Sequence, residues 1–263
     1  MAQPVVDPAV IGRPGKLWSE TIADRLNEPG KAGVRRVVVV PGLWAPLHHV
    51  AAVEVLAAFV GTLQPDGIVF LNAPGGMSRQ EREAFTGVLG AVRTGYAGLI
   101  GVHGDGDHGE HDAAVLASLR VTVVGELAPV VPGWLAASGD LATEPDDVAS
   151  AETTGANVVC GATGRLRLTG RARPGEDGTV RAWLVFECGT LAADPAAGTL
   201  GFGVLDIAGR TVTARPVRVG ADGGFTFCGT RYTAPAGARC AGGGAGSSSV
   251  NSTSTAAPVS PAM

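Results

Sequence analysis

The densest run of chemistry-bearing side chains is His103 to Asp112 (HGDGDHGEHD), with three histidines, three aspartates and a glutamate. Imidazole nitrogens and carboxylate oxygens together suit one divalent metal: manganese or zinc through the mixed set, or calcium through oxygens alone. Asp105, Asp107, His108 and His111 are the first candidates as ligands. The competing reading is a solvated turn, because Gly104, Gly106 and Gly109 loosen the run and no zinc-type ligand spacing is present. His48 and His49 are the next pair. They stand at the expected start of a helix, where a neutral imidazole can serve near the cap. They could also converge on the first run if both leave the same sheet edge.

Other reactive residues have blander readings. Cys160, Cys188, Cys228 and Cys240 share no C-x-x-C spacing, so a zinc or redox motif is not expected and they read as isolated core thiols. Ser138 and Thr163 have no obvious His or Asp partner in sequence, which leaves a nucleophilic triad unsupported. Asn251–Thr253 matches a glycosylation sequon, discounted because nothing in the chain suggests secretion.

The elements that must hold these residues change character along the chain. Residues 1–34 read as a lead-in around one short helix, Ser19–Leu26, closed by Pro29–Gly30. The β-branched run Arg36–Val40 then predicts a strand buried on both faces. A helix over His48–Leu63 follows, with Val50, Val53, Leu56, Ala57 and Val60 at helical spacing. Gly67–Leu71 is a second buried strand. The next helix opens on a capping box, Ser78 with Glu81, and runs to about Arg93. Leu99–Val102 and Val121–Val124 are strands around a short helix at Ala113–Leu119. Such alternation calls for a parallel sheet with helical crossovers.

Beyond Ala128 the pattern turns to β. Strands are expected at Gly133–Ala137, Asn157–Cys160, Arg165–Arg171, Val180–Glu187, Thr199–Ile207, Thr211–Val219 and Gly224–Phe227, interrupted by one helix at Glu144–Thr153. An α/β half leading into a β-rich half suits a two-sheet sandwich flanked by helices. Residues 241–263 hold no charge and consist largely of Gly, Ser, Thr, Ala and Pro, so a flexible tail is expected there unless a partner orders it.

Apolar residues make up 45% of the chain and the formal net charge is −4. That composition allows a buried core, and a basic field for gripping phosphate backbones is not expected. No charged-then-apolar leader opens the sequence, and no apolar stretch reaches the ~20 residues of a membrane helix. The expectation is a soluble chain with no membrane contact, in the cytoplasm or, if phage-encoded, in a virion.

Four segments carry a family resemblance: RVVVVPGLWAPLHH (Arg36–His49), LQPDGIVFLN (Leu63–Asn72), PGWLAASGD (Pro132–Asp140) and VVCGATGRL (Val158–Leu166). With the closing run Gly201–Val217, they resemble the calcineurin-like metallophosphoesterases of bacteriophages and their hosts. The resemblance implies a four-layer αββα sandwich over about residues 35–240. It also implies motifs D-x-H, G-D, G-N-H-D, H-G-D and G-H-x-H at strand ends, holding two metals ~3.5–4 Å apart that activate a hydroxide.

This sequence departs from that ligand set almost everywhere. The first motif reads Gly42-Leu43-Trp44, the second Asn72-Ala73, the fourth Ser138-Gly139-Asp140 and the fifth Gly161-Ala162-Thr163-Gly164. Only the third, within Gly104–Asp112, keeps candidate ligands. Two dications at the family spacing repel by roughly 20 kcal/mol even at an effective dielectric near 20, and side chains such as Ala73 and Gly42 offer nothing to offset it. The degenerate positions are therefore Gly42, Trp44, Asn72, Ala73, Ser138, Ala162 and Gly164, with Trp44 able to fill the vacated pocket and Asp140 left as a structural turn carboxylate.

The expectation is a protein without a cofactor and without catalysis, built on a phosphoesterase scaffold for binding or assembly. Its partner is another protein or a second copy of itself, and a capsid-decorating or minor capsid role is one form of this. The alternative is a metal-dependent phosphoesterase with one divalent ion relocated to His103–Asp112. A metal-free sensor of a phosphate-bearing ligand is a third reading, with only Arg165 in the motifs to meet the charge.

Overall fold

The computed structural model describes residues 34–41, 48–71, 79–103, 114, 116–124, 127–131, 134–138, 158–161, 163–174, 178, 180–194, 196, 198–208 and 211–234. The chain opens with β1 (Arg35–Val40), α1 (Val50–Leu63), β2 (Gly67–Phe70), α2 (Arg79–Gly95), β3 (Leu99–His103) and β4 (Val121–Val124). β1 to β4 are parallel neighbours, as the helical crossovers require. β10 (Gly201–Ala208) returns antiparallel onto the free side of β1, and β11 (Thr211–Arg218) pairs antiparallel with β10. The six strands run β11-β10-β1-β2-β3-β4.

A second sheet is built from β5 (Leu127–Val131), β6 (Trp134–Ser138), β7 (Val158–Gly161), β8 (Leu166–Pro174) and β9 (Val180–Cys188), in the order β5-β6-β7-β9-β8. β6, β7 and β9 are parallel, with β5 and β8 antiparallel at the two edges. A small hairpin, β12 (Phe225–Phe227) and β13 (Thr230–Tyr232), completes the described elements.

Alternation along the strands divides the core in two. Val38 and Val40 of β1, with Phe202 and Val204 of β10, face α1, α2 and the hairpin. Their neighbours Val37, Val39, Leu205 and Ile207 face the second sheet and pack on Val158, Cys160, Phe186 and Cys188. Phe59 of α1 joins the layers on the helical side, meeting Phe225, Phe227 and Tyr232 edge-on at centroid distances of 5.2, 5.3 and 4.9 Å. Val159, Trp183 and Val185 point to the far face of the second sheet and are buried as well, so that face is also covered.

The architecture is thus a mixed α/β sandwich of two sheets, as expected from the change of pattern near Ala128. The helix expected at Glu144–Thr153, the capping residue Ser78, the lead-in and the tail all lie outside the described residues. Two strands were not anticipated. β5 contains Pro129 and has a register irregularity between Pro129 and Val131; at a sheet edge the missing N–H costs no ladder bond. β13 is only three residues long, too short to show a period. Among the described residues no helix is long and apolar enough to cross a membrane.

Candidate functional site at the strand ends

The entry to α1 and the segment leaving β9, which follow strands of different sheets, are tied together by backbone. The His49 N–H donates to the Leu191 carbonyl at 2.8 Å, and His48 forms a bridge with Ala192. The same strip continues outward. Gly189 donates to Arg165, Thr190 to Thr199, Gly201 to Thr190, and Thr199 to Gly164 at 2.8 Å. The turn after β7 and the segment after β9 are therefore stitched to the start of β10, and the backbone polar groups here are engaged with one another.

His49 is the N-cap of α1. Its Nδ1 accepts from the Ala52 N–H at 3.2 Å, and its Nε2–H reaches the Ala221 carbonyl at 3.1 Å. One nitrogen accepting and the other donating is the pattern of a neutral imidazole. That is why α1 begins at Val50 and not at His48, and it realises the capping reading of this pair. His48 differs: its Nδ1 is buried with no hydrogen-bond partner among the described residues, and burial pulls its pKa below the ordinary 6.5. A half-buried imidazole that resists its proton is a neutral one.

In the turn that replaces G-H-x-H, the Thr163 hydroxyl donates to Glu187 Oε1 at 3.0 Å and accepts from the Arg165 N–H at 3.3 Å. Glu187 is 2% exposed and forms an ion pair with Arg167. A carboxylate this buried needs such partners to stay ionised without a large penalty, so Thr163, Arg167 and Glu187 form a satisfied structural cluster. Glu187 was not singled out in the sequence. Its signal was a lone acid at the end of the otherwise apolar run WLVFEC. Gly164 has φ of +75°, a left-handed conformation that L side chains adopt at a cost.

Cys160 and Cys188 lie on the inner face of the second sheet and are buried. Burial first, then the neighbouring Cys160 and Glu187, push the Cys188 thiol well above its ordinary pKa, which holds it as an inert thiol. Cys228 departs from the core reading, since it is exposed with φ of +48° in the turn between β12 and β13.

Of the degenerate positions, Ser138 ends β6 in register with Cys160 and Gly164 lies in the turn described above. Gly42, Trp44, Asn72, Ala73 and Ala162 are outside the described residues, as are Asp105, Asp107, His108 and His111, which follow β3. Among the described residues no three His, Cys, Asp or Glu side chains gather as a metal-holding group.

No protein-family profile matches the chain, and no curated protein matches it. Solved structures with a similar fold include Vps29 of Chaetomium thermophilum in complex with a cyclic peptide, at 15% identity and TM-score 0.44, covering 77% of this chain and 98% of that one. Vps29 of Entamoeba histolytica complexed with zinc aligns at 12% identity and TM-score 0.42, over 70% and 92%. TT1561 of Thermus thermophilus aligns at 10% identity and TM-score 0.39, over 70% and 99%. Likenesses at this level carry no weight for function, and the fold stands on the strand order and register themselves.

Proposed function

We propose that this chain is a non-catalytic protein on a metallophosphoesterase-like sandwich, with a role in binding or assembly. The observation that carries the reading is the turn after β7. Where the resembled family places a ligand histidine, Gly164 has φ of +75° and its carbonyl accepts from Thr199. Thr163 beside it spends its hydroxyl on Glu187 and the Arg165 N–H. A turn committed to glycine and to internal hydrogen bonds supports a scaffold that has dispensed with metal there. The ligand-free residues Gly42 and Ala73 at other motifs, and Ala162 in the same one, add to it. The partner is another protein or a second copy. The phage-type character of the resembled motifs favours a capsid-decorating or minor capsid protein as the specific form.

The test is metal analysis of purified protein with an aryl-phosphate assay in Mn²⁺. Metal well below stoichiometric and no turnover are the expected results. For the virion role, the chain should be present at fixed copy number in purified particles; a freely soluble monomer absent from them would count against it.

The second reading, a metal-dependent phosphoesterase, is favoured by one observation. The ligand-rich run leaves β3 in the same parallel set as β1, whose outgoing segment holds His48 and His49. Stoichiometric metal, with turnover abolished by His108→Ala and His111→Ala, would establish it in place of the first.

A further inference from the structure

The turn between β11 and β12 is closed by its own hydrogen bonds. Val219 and Phe225 form an antiparallel bridge, the Gly220 N–H donates to the Gly224 carbonyl at 2.7 Å, and the Gly223 N–H donates to the Gly220 carbonyl at 2.9 Å. At its tip stands Asp222, followed by Gly223 with φ of +77°. Asp222 Oδ1 accepts from the Gly224 N–H at 3.0 Å, and Oδ2 accepts from Arg231 of β13 at 3.0 Å. The first of these bonds folds the carboxyl group over the intervening peptide, on which the Gly223 nitrogen lies. The turn also rests on α1. A β-carbon on Gly223 would stand 2.7 Å from the Ala51 carbonyl carbon and the Ala52 nitrogen, and the neighbouring Ala221 carbonyl accepts from His49.

An aspartate followed by glycine is open to attack by the backbone on its own side chain, because glycine has no β-carbon to shield its nitrogen. We propose that Asp222–Gly223 is a latent site of isoaspartate formation, gated by Arg231, whose conversion frees the turn from the start of α1. In the first step the Gly223 nitrogen bonds to Asp222 Cγ. A carboxyl oxygen leaves as water, carrying the N–H proton and one proton from solvent, and a five-membered imide closes. Water then adds to the imide carbonyl that was the main-chain carbonyl of Asp222, and the bond from that carbon to nitrogen breaks. The chain now runs through the Asp222 side chain, one atom longer, with a free α-carboxylate and no net change in mass. Both reacting groups are occupied in the folded chain. The Gly223 N–H is spent on Gly220. The Gly224 N–H, with Arg231 beside it, holds the Asp222 carboxyl below its ordinary pKa, and a carboxylate anion is a poor electrophile. Arg231 is the removable part of this lock, since its ion pair with Asp222 is exposed. Of the other Asp–Gly pairs, Asp66 is turned to Arg35 and to the Arg36 N–H, and Gly67 is buried in β2; Asp105 and Asp177 lie outside the described residues. An inserted backbone atom has no room against Ala51 and Ala52, so the bond from His49 to Ala221 breaks and the first turn of α1 loosens.

The test incubates the full chain at neutral pH, folded and in guanidinium. Loss of endoproteinase Asp-N cleavage before Asp222, at unchanged mass, marks the isoaspartate. The folded parent should convert about tenfold more slowly than the unfolded chain. Arg231→Gln should convert about two- to fivefold faster than the folded parent, with unchanged thermal melting. In converted chains, hydrogen exchange at the Ala52 amide should rise by about tenfold or more. Conversion of the folded parent at the unfolded rate would overturn the proposal, as would absence of isoaspartate at residue 222 even in the unfolded chain. So would a folded Arg231→Gln chain no faster than the parent, or unchanged exchange at Ala52 after conversion. Where Arg231→Gln fails to fold, the parent in rising salt decides. Screening of the Asp222–Arg231 pair should speed conversion, and a rate indifferent to salt would remove the gate.

Discussion

The carbonyl oxygen of Gly164 lies 2.0 Å from the point that a β-carbon on Gly198 would occupy. The two residues have φ of +75° and +128°, and the Thr199 N–H closes the contact onto Gly164. Gly198→Ala must displace backbone and should cost ~2–4 kcal/mol in denaturant unfolding. Gly164→His, which restores the residue type of the resembled motif, should cost ~1–2 kcal/mol from φ alone and bring no metal-dependent phosphatase activity. A histidine variant as stable as the parent would show that this turn is not committed to glycine.

Arg93 fastens the end of α2 to the entries of β3 and β4. Its guanidinium donates to the carbonyls of Leu119, Tyr96, Gly98 and Arg120 at 2.7, 3.0, 2.7 and 2.8 Å. Arg93→Ala should lower stability by ~2–4 kcal/mol, and Arg93→Lys should recover only part of it, because an ammonium lacks the planar fork. Equal stability of the lysine variant and the parent would argue against this geometry.

His48 predicts a pH dependence with a definite sign. Burial lowers its folded-state pKa from 6.5, so the unfolded chain binds the proton more readily than the folded one. This contribution is present in full above 6.5, is lost as pH falls through that value, and levels off once the folded-state pKa is passed. The slope of stability against pH should flatten in His48→Gln. An unchanged slope would assign the dependence to other groups.

Thiol reactivity should follow burial. At neutral pH, iodoacetamide should modify Cys228 well before Cys160 or Cys188, which only unfolding should expose. Peptide mapping by mass spectrometry reads the order directly, and early labelling of Cys188 would contradict its burial.

Much of the fold was legible because it rests on short-range pattern. The RRVVVV run, the helical spacing in α1 and the strands β9 to β11 each bury one face or two, and burial leaves its pattern in the residues. The absence of donor side chains at Gly42, Ala73, Ala162 and Gly164 is read directly from the residue types. Three-dimensional pairing was not legible. His49 caps α1 while bonding to Ala221, 172 positions away, and Glu187 is satisfied by Thr163 and Arg167 only because β7, β8 and β9 lie side by side. Local sequence determines which segments seek burial, since that depends on neighbours within a few residues. Which buried charge finds which partner, and which edge is left open, depends on strand order and register, and only the assembled sheets decide those.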